Sequence, residues 1–235
     1  MIRFGLMGST GRLGQAIQAV AQAEFASVFK LACTPRRGET LEPLLACDLI
    51  IDVTEAGASR MMAEWALSRS EKLPLWIVGT TGLDPQALQA LSALSSRTPV
   101  LLASNFSLGV LLLQQVLQSA QPLLEKWGFM PTLVRETHHV HKKDKPSGTA
   151  LTLTKLLSPS DPGRIPTESL REGEVIGRHE IHFQGTEETL TFGHDAHDRR
   201  IFARGALQLA AALHARKNAP EICGKILEPR DLLQP

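Results

Sequence analysis

The chain has 235 residues, enough to bury a core as one large domain or two small ones, and its hydrophobic (43%) and charged (21%) fractions are ordinary for a globular protein. With 25 Lys and Arg against 24 Asp and Glu, a general attraction to nucleic acid or to a membrane surface is excluded, and any basic patch is local. No apolar run reaches the roughly 18 residues of a membrane span, and the amino terminus shows no charged-then-apolar leader, which reads as a soluble, cytoplasmic protein.

Met1–Met7 is a short apolar strand ending in Gly8-Ser9-Thr10-Gly11-Arg12-Leu13-Gly14, and a helical pattern with Leu13, Ile17 and Val20 on one face follows. Strand, glycine turn and helix form the context of a dinucleotide fingerprint, spaced here Gly-x-x-Gly-x-x-Gly because Thr10 holds the middle position. The glycines permit a tight turn and let a pyrophosphate approach the helix start; the alternative is a strand–helix turn with no ligand. A second strand, Ser27–Thr34, runs into Pro35-Arg36-Arg37. A chain that binds NAD usually carries an acid there, about 20 residues after the glycine turn. The arginine pair points to a 2′-phosphate, or else is a solvent-facing turn. Cys33, Cys47 and Cys223 show no metal or redox spacing and read as small core residues.

Asp48–Thr54 is a third, fully apolar strand, followed by a helix over Ala58–Ser68. Leu75–Val78 is a fourth, closing on Gly79-Thr80-Thr81-Gly82, after which Asp84-Pro85 starts a helix reaching Leu94. Val100–Ala103 is a fifth, closing on Ser104-Asn105-Phe106-Ser107. Alternating apolar strands and helices predict an α/β fold with a parallel sheet covered on both faces. Three strand ends carry short polar residues, where a parallel sheet lines its ligand crevice.

Beyond Ser107 the pattern changes. Leu108–Leu124 is a strongly apolar helix that Pro122 bends or ends. A strand over Pro131–Thr137 delivers Glu136-Thr137-His138-His139-Val140-His141-Lys142-Lys143-Asp144-Lys145-Pro146-Ser147-Gly148-Thr149, and a helix runs over Thr149–Leu157. Lysines beside a helix start suit a carboxylate or phosphate, and the histidines add a group that exchanges protons near neutral pH. A solvated basic loop is the bland alternative. A metal is not expected, because His138 and His141 are not helix-spaced and no carboxylate or cysteine cluster is seen to partner them. Ser158–Thr167, with three prolines, reads as a loop; Glu174–Phe183 and Glu188–Phe192 read as antiparallel strands; Arg200–Arg216 reads as a helix before a short Leu-rich tail.

The motifs at Gly8–Gly14, Gly79–Gly82, Ala103–Gly109 and above all Glu136–Ala150 resemble the 4-hydroxy-tetrahydrodipicolinate reductase (dihydrodipicolinate reductase) family of lysine and diaminopimelate biosynthesis, and they fall in family order along nearly the whole chain. The resemblance implies a Rossmann-like dinucleotide-binding domain over 1–106 together with 203–235. It also implies a central α+β substrate-binding and oligomerisation domain over 107–202, assembled as a homotetramer. The implied reaction reduces a cyclic imine dicarboxylate with NADPH or NADH and releases water. By position, His138 matches the proton donor and Lys142 the second catalytic residue. His139, with Ser147, Gly148 and Thr149, matches the substrate contacts. Gly8, Ser9, Thr10, Gly11, Arg12 and Leu13, with Gly79, Thr80, Thr81, Ala103, Ser104, Asn105 and Phe106, match the cofactor turns. Arg36 and Arg37 take the place of the acid that reads the ribose, so NADPH is the expected preference. Val140 stands where the family often has arginine. The other readings are a different small NAD(P)-dependent oxidoreductase, or a non-catalytic dinucleotide sensor that has no need of the His138–Thr149 cluster.

Overall fold

The computed structural model describes Met1–Leu232. The chain divides into two compact units, Met1–Phe106 together with the chain from Phe202 onward, and Ser107–Ile201. Residues 233–235 of the expected Leu-rich tail lie outside the described residues.

The first unit is built on a parallel sheet of strands β1 (Ile2–Met7), β2 (Phe29–Cys33), β3 (Leu49–Asp52), β4 (Leu75–Val78), β5 (Val100–Leu102) and β10 (Ile226–Leu227), in the order β10-β5-β4-β3-β1-β2. Every residue of β3 and β4 is buried. This is the run of Leu, Ile, Val and Trp expected of strands covered on both faces. The connecting helices are α1 (Arg12–Glu24), α2 (Ala56–Leu67) and α3 (Pro85–Ser95). Asp84 caps α3 by accepting from the Ala87 N–H at 2.7 Å, with Pro85 at the first helical position. The chain returns through α6 (Arg200–Ala215), and Ile226 and Leu227 pair with Val100 and Leu101 at the sheet edge. Two residues are too few for an alternation to show, so β10 was not readable from the sequence.

The second unit carries a mixed sheet in the order β7-β6-β8-β9, of β6 (Met130–His138), β7 (Thr167–Arg171), β8 (Gly177–Gln184) and β9 (Thr189–Ala196). Its core joins Leu113, Leu117 and Leu124 of α4 (Leu108–Lys126) and Leu153 and Leu157 of α5 (Gly148–Leu157) to Val134, Ile181 and Phe183 of the sheet. Two expectations change here. Pro122 does not end α4, because Leu117 and Leu124 anchor the helix in the core on either side of it. The proline-rich segment ends in a strand: Thr167–Arg171 pairs parallel with Val134–His138. As a half-exposed edge strand of sequence Thr-Glu-Ser-Leu-Arg, it has no apolar alternation to announce it. No described helix is long and apolar enough to cross a membrane.

Gly205 fixes the seat of α6 in the first unit. A Cβ there would lie 1.7 Å from the Phe106 carbonyl oxygen, well inside contact distance. Gly205→Ala should therefore cost about 2–3 kcal/mol by forcing the helix off its seat. A urea midpoint equal to that of the unmodified protein would show that the helix shifts freely.

Candidate functional site

In the second unit, the two-residue period of β6 sends Val134, Glu136 and His138 to the face that packs on α4 and α5. Glu136 is fully buried. One carboxylate oxygen meets Nδ1 of His138, and the other accepts from the Arg171 guanidinium at 3.0 Å. Burial pushes the Glu136 carboxyl up, but hydrogen bonds from Ser169 and Arg171 and the charge of His138 outweigh it, so it stays ionised. Burial lowers the His138 imidazole; the Glu136 charge opposes that and Lys142 adds to it, leaving the ring below its ordinary range. With Nδ1 turned to Glu136, the proton-exchanging atom of His138 is Nε2. A Cβ on the neighbouring Gly177 would lie 3.2 Å from that nitrogen, so glycine leaves the space beside it unfilled.

Arg171 also fastens the lysine loop. Its guanidinium donates to the Lys142 carbonyl at 3.1 Å and to the Asp144 carbonyl. Lys142 Nζ rests 2.9 Å from the Asp144 carboxylate. Burial raises that carboxyl, yet the Lys142 hydrogen bond and charge hold it below the usual range. The loop leads to α5, where Ser147 caps the helix by accepting from the Ala150 N–H at 3.2 Å and meets His179 Nε2 at 3.4 Å. The Ser147 hydroxyl is thus spent on structure. The backbone N–H groups of a first helical turn have no carbonyl acceptor within the helix, which is the arrangement that suits an anion. Gly148 is exposed with open space where a Cβ would sit, leaving room for a ligand against the backbone. His139 is half-buried, its ring 6.2 Å from that of His141.

His179 of β8 stands opposite Glu136, and His194 of β9 opposite His179. The rings of His138 and His179 meet edge-on at 5.2 Å. Sequence reading missed Glu136, Arg171 and His179, and found no carboxylate near the histidines. The fold corrects this: Glu136, two residues before His138 on one strand, joins His138 and His179 with ligand atoms within 4.8 Å of one another. Such a trio has the donors of a metal site, but the Arg171 guanidinium on the same carboxylate already supplies its positive charge.

In the first unit, Gly8 adopts φ +82°, and a Cβ on Gly14 would lie 2.1 Å from the Gly8 carbonyl oxygen, so both positions require glycine. Gln15 and Gln18 of α1 brace the turn by donating to the Thr10 and Ser9 carbonyls. Unlike α3, α4 and α5, α1 has no side-chain cap: Gly11 holds that position. Its first N–H groups suit a pyrophosphate, so this turn fits a dinucleotide. Arg12 is exposed and Leu13 half-buried beside it. At the ends of β4 and β5, Gly79 lets the buried Phe106 ring pack on the backbone, since a Cβ there would meet it at 2.3 Å. Thr80 is turned inward, hydrogen-bonded to Ser59 at 2.9 Å near the buried Asp52, so only its backbone is left for a ligand. Thr81 and Ser104 are exposed, Asn105 half-buried and Ala103 buried. Arg36 and Arg37 are exposed after β2, beside an open cavity of about 380 Å³ lined by Cys33, Thr34, Pro35, Glu39, Thr40 and Pro43. Glu39, six residues after the end of β2, accepts from the Arg36 N–H at 2.9 Å.

The family model described as dihydrodipicolinate reductase, N-terminus, matches residues 2–106, and that described as dihydrodipicolinate reductase, C-terminus, matches residues 109–224. The chain is 37% identical over 219 residues to the 4-hydroxy-tetrahydrodipicolinate reductase of Bdellovibrio bacteriovorus, covering 92% of each chain. It is 36% identical to that of Zymomonas mobilis, covering 89% of this chain and 90% of the relative. Among solved structures, a dipicolinate-bound dihydrodipicolinate reductase from Paenisporosarcina sp. TG-14 shares the fold over 100% of both chains, with TM-score 0.75 and 20% identity.

The histidine row has a consequence for acid stability. Burial, helped by the charge of His138, pushes His179 from an ordinary 6.5 down to about 4. A depressed folded value means that the unfolded chain binds more protons between those limits, so stability is full above pH 6.5 and is lost as pH falls toward 4. The loss amounts to something on the order of 3 kcal/mol. His179→Phe should flatten that part of the stability–pH curve; an equally steep loss in the variant would assign it to other groups.

Proposed function

The chain belongs to the dihydrodipicolinate reductase family, NAD(P)H-dependent oxidoreductases of lysine biosynthesis, and we propose that it reduces 4-hydroxy-tetrahydrodipicolinate with His138 as proton donor and Lys142 as carboxylate partner. One observation carries this reading: His138 is held at Nδ1 by a buried carboxylate, with glycine beside its Nε2, on the strand that runs into a lysine loop and an anion-suited helix start. A sensor that only bound a dinucleotide would have no use for that arrangement in the second unit. NAD(P)H supplies the hydride. Addition to the conjugated carbon–nitrogen system leaves electron density that must collect a proton, and protonated His138 delivers it from Nε2. The substrate has two carboxylates. One suits the backbone N–H groups at Gly148 and Thr149, the other Lys142 after exchange from Asp144, with His139 as a further contact. A dianion beside His138 also raises its proton affinity, offsetting the burial that lowers it.

The outward face of the second sheet, where Arg135 pairs with Glu168 and Arg178 with Asp195, is the surface we assign to a homotetramer, in the cytoplasm where the reduced cofactor is available.

The test is to follow reduced-nicotinamide absorbance with freshly generated substrate. His138→Gln should lower kcat by about 10²–10⁴-fold with cofactor binding nearly unchanged. In the unmodified enzyme, kcat/KM should fall as pH rises past the depressed His138 value. Glu136→Gln removes the charge that raises that value, so its decline should begin at lower pH. It also leaves Arg171 without a counter-charge, which a lowered Tm reports. Near-normal turnover in His138→Gln would remove that residue from the mechanism, and an unmoved pH profile would remove Glu136.

Arg36, Arg37 and Arg12 favour the 2′-phosphate of NADPH, while Glu39 can accept a ribose hydroxyl and so keeps NADH usable. Charge-assisted hydrogen bonds of this kind are worth roughly tenfold or more in kcat/KM in favour of NADPH. Replacing Arg36 and Arg37 together by serine should erase most of that gap. Equal efficiencies for the two cofactors in the unmodified enzyme would return the arginines to a solvent-facing turn.

A further inference from the structure

Cys33 and Cys47, 14 residues apart and unremarkable by spacing, come together at the end of β2. Their Sγ atoms lie 3.7 Å apart, in van der Waals contact. Gly5 of the adjacent strand faces the pair: a Cβ there would clash with Leu44 Cδ2 at 2.5 Å and would lie in ordinary contact with Cys47 Sγ at 3.4 Å and Cys33 Sγ at 3.5 Å. The segment between them, Thr34–Ala46, holds Arg36, Arg37 and Glu39, and the cavity it encloses has Cys33 in its wall. We propose that Cys33 and Cys47 are a modification site, forming a reversible disulfide that ties both ends of this segment and weakens the use of NADPH.

A disulfide needs the sulfurs at about 2.05 Å, so closure asks for a movement of roughly 1.7 Å shared between β2 and the turn at Cys47. Cys33 is half-exposed at the cavity, whereas Cys47 is buried. A small hydroperoxide reaches Cys33 first. The Cys33 thiolate attacks a peroxide oxygen and the O–O bond breaks, giving a sulfenic acid and water from hydrogen peroxide. Cys47 then attacks that sulfur, forming the S–S bond and expelling a second water, so the two thiols lose two electrons and two protons to the peroxide. Burial pushes Cys33 up, and pushes Cys47 up to about 12, so thiolate is scarce and the step is slow at neutral pH. Closure draws the end of β2 toward Cys47. Arg36 and Arg37, three and four residues on, move off the 2′-phosphate with it. This consequence rests on the cofactor reading of the first unit; the disulfide itself does not.

The experiment treats the full-length enzyme with hydrogen peroxide, quenches it in acid, counts thiols after denaturation, and maps the linked peptides. Free thiols should fall from the three of the sequence to one, Cys223, with Cys33 joined to Cys47 and dithiothreitol restoring all three. The NADPH KM should rise about tenfold, and by more than the NADH KM, with kcat little changed. Cys47→Ser should show no link and no change in NADPH KM on treatment. Three surviving thiols, or links only through Cys223 between chains, overturn the disulfide. A mapped Cys33–Cys47 link with an unchanged NADPH KM overturns its effect on cofactor use. Failure of the reduced enzyme to oxidise NADPH with substrate would instead defeat the functional reading, leaving the thiol count to stand or fall alone.

Discussion

The second unit depends on one buried anion. Glu136 sits fully out of water, which would cost several kcal/mol for an isolated carboxylate. It stays ionised because Arg171 holds one oxygen and His138 the other. Arginine is suited to this place in a way lysine is not. Its planar guanidinium meets the carboxylate while still donating to the Lys142, Asp144 and Leu170 carbonyls. The same charge pair therefore fixes the orientation of the His138 ring and the path of the loop that carries Lys142. Edge strand β7 delivers Arg171 in register with His138.

Two helix starts divide the recognition of anions, and their caps differ accordingly. Helix α1 begins on Gly11 with no side-chain acceptor, keeping its first N–H groups and the glycine turn for a diphosphate. Helix α5 begins on Ser147, whose hydroxyl serves Ala150 and touches His179, which locks the turn. A capping serine still leaves the backbone donors at Gly148 that the proposed carboxylate contact asks for.

The parts legible in the sequence are those carried by local pattern. The buried strands Leu49–Asp52 and Leu75–Val78, the glycine turn at Gly8 and the helix start at Ser147 all lie within a residue or two of where periodicity and cap chemistry place them. What was not legible is made by pairing across the chain. Arg171 reaches Glu136 only because β7 pairs with β6, and nothing in Thr-Glu-Ser-Leu-Arg foretells it. Cys33 and Cys47 meet only because β2 lies beside β1 and the chain returns through the turn before β3. Glu39 reaches the cavity through a turn at Gly38, φ +86°, that doubles the chain back on Arg36. The Glu136–His138 pairing is a different case. It was readable as two positions of like parity on one strand, once the strand was extended to include His138.

Among the described residues two carboxylates are fully buried, and their surroundings shift them in opposite directions. Glu136 faces a guanidinium and is held below the usual range. Asp52, at the end of β3, has only hydroxyl and backbone donors from Ser59, Thr54 and Thr80, and burial raises it despite them. The difference follows from what each carboxylate organises. Asp52 ties Thr80, in the turn after β4, to Ser59 of α2 through hydroxyl hydrogen bonds. Glu136 must keep its charge, because an uncharged acid there would neither orient the histidine nor favour its protonated form. One chain thus uses a buried acid as a joint in one unit and as a fixed charge in the other, and the neighbour that separates the two uses is Arg171.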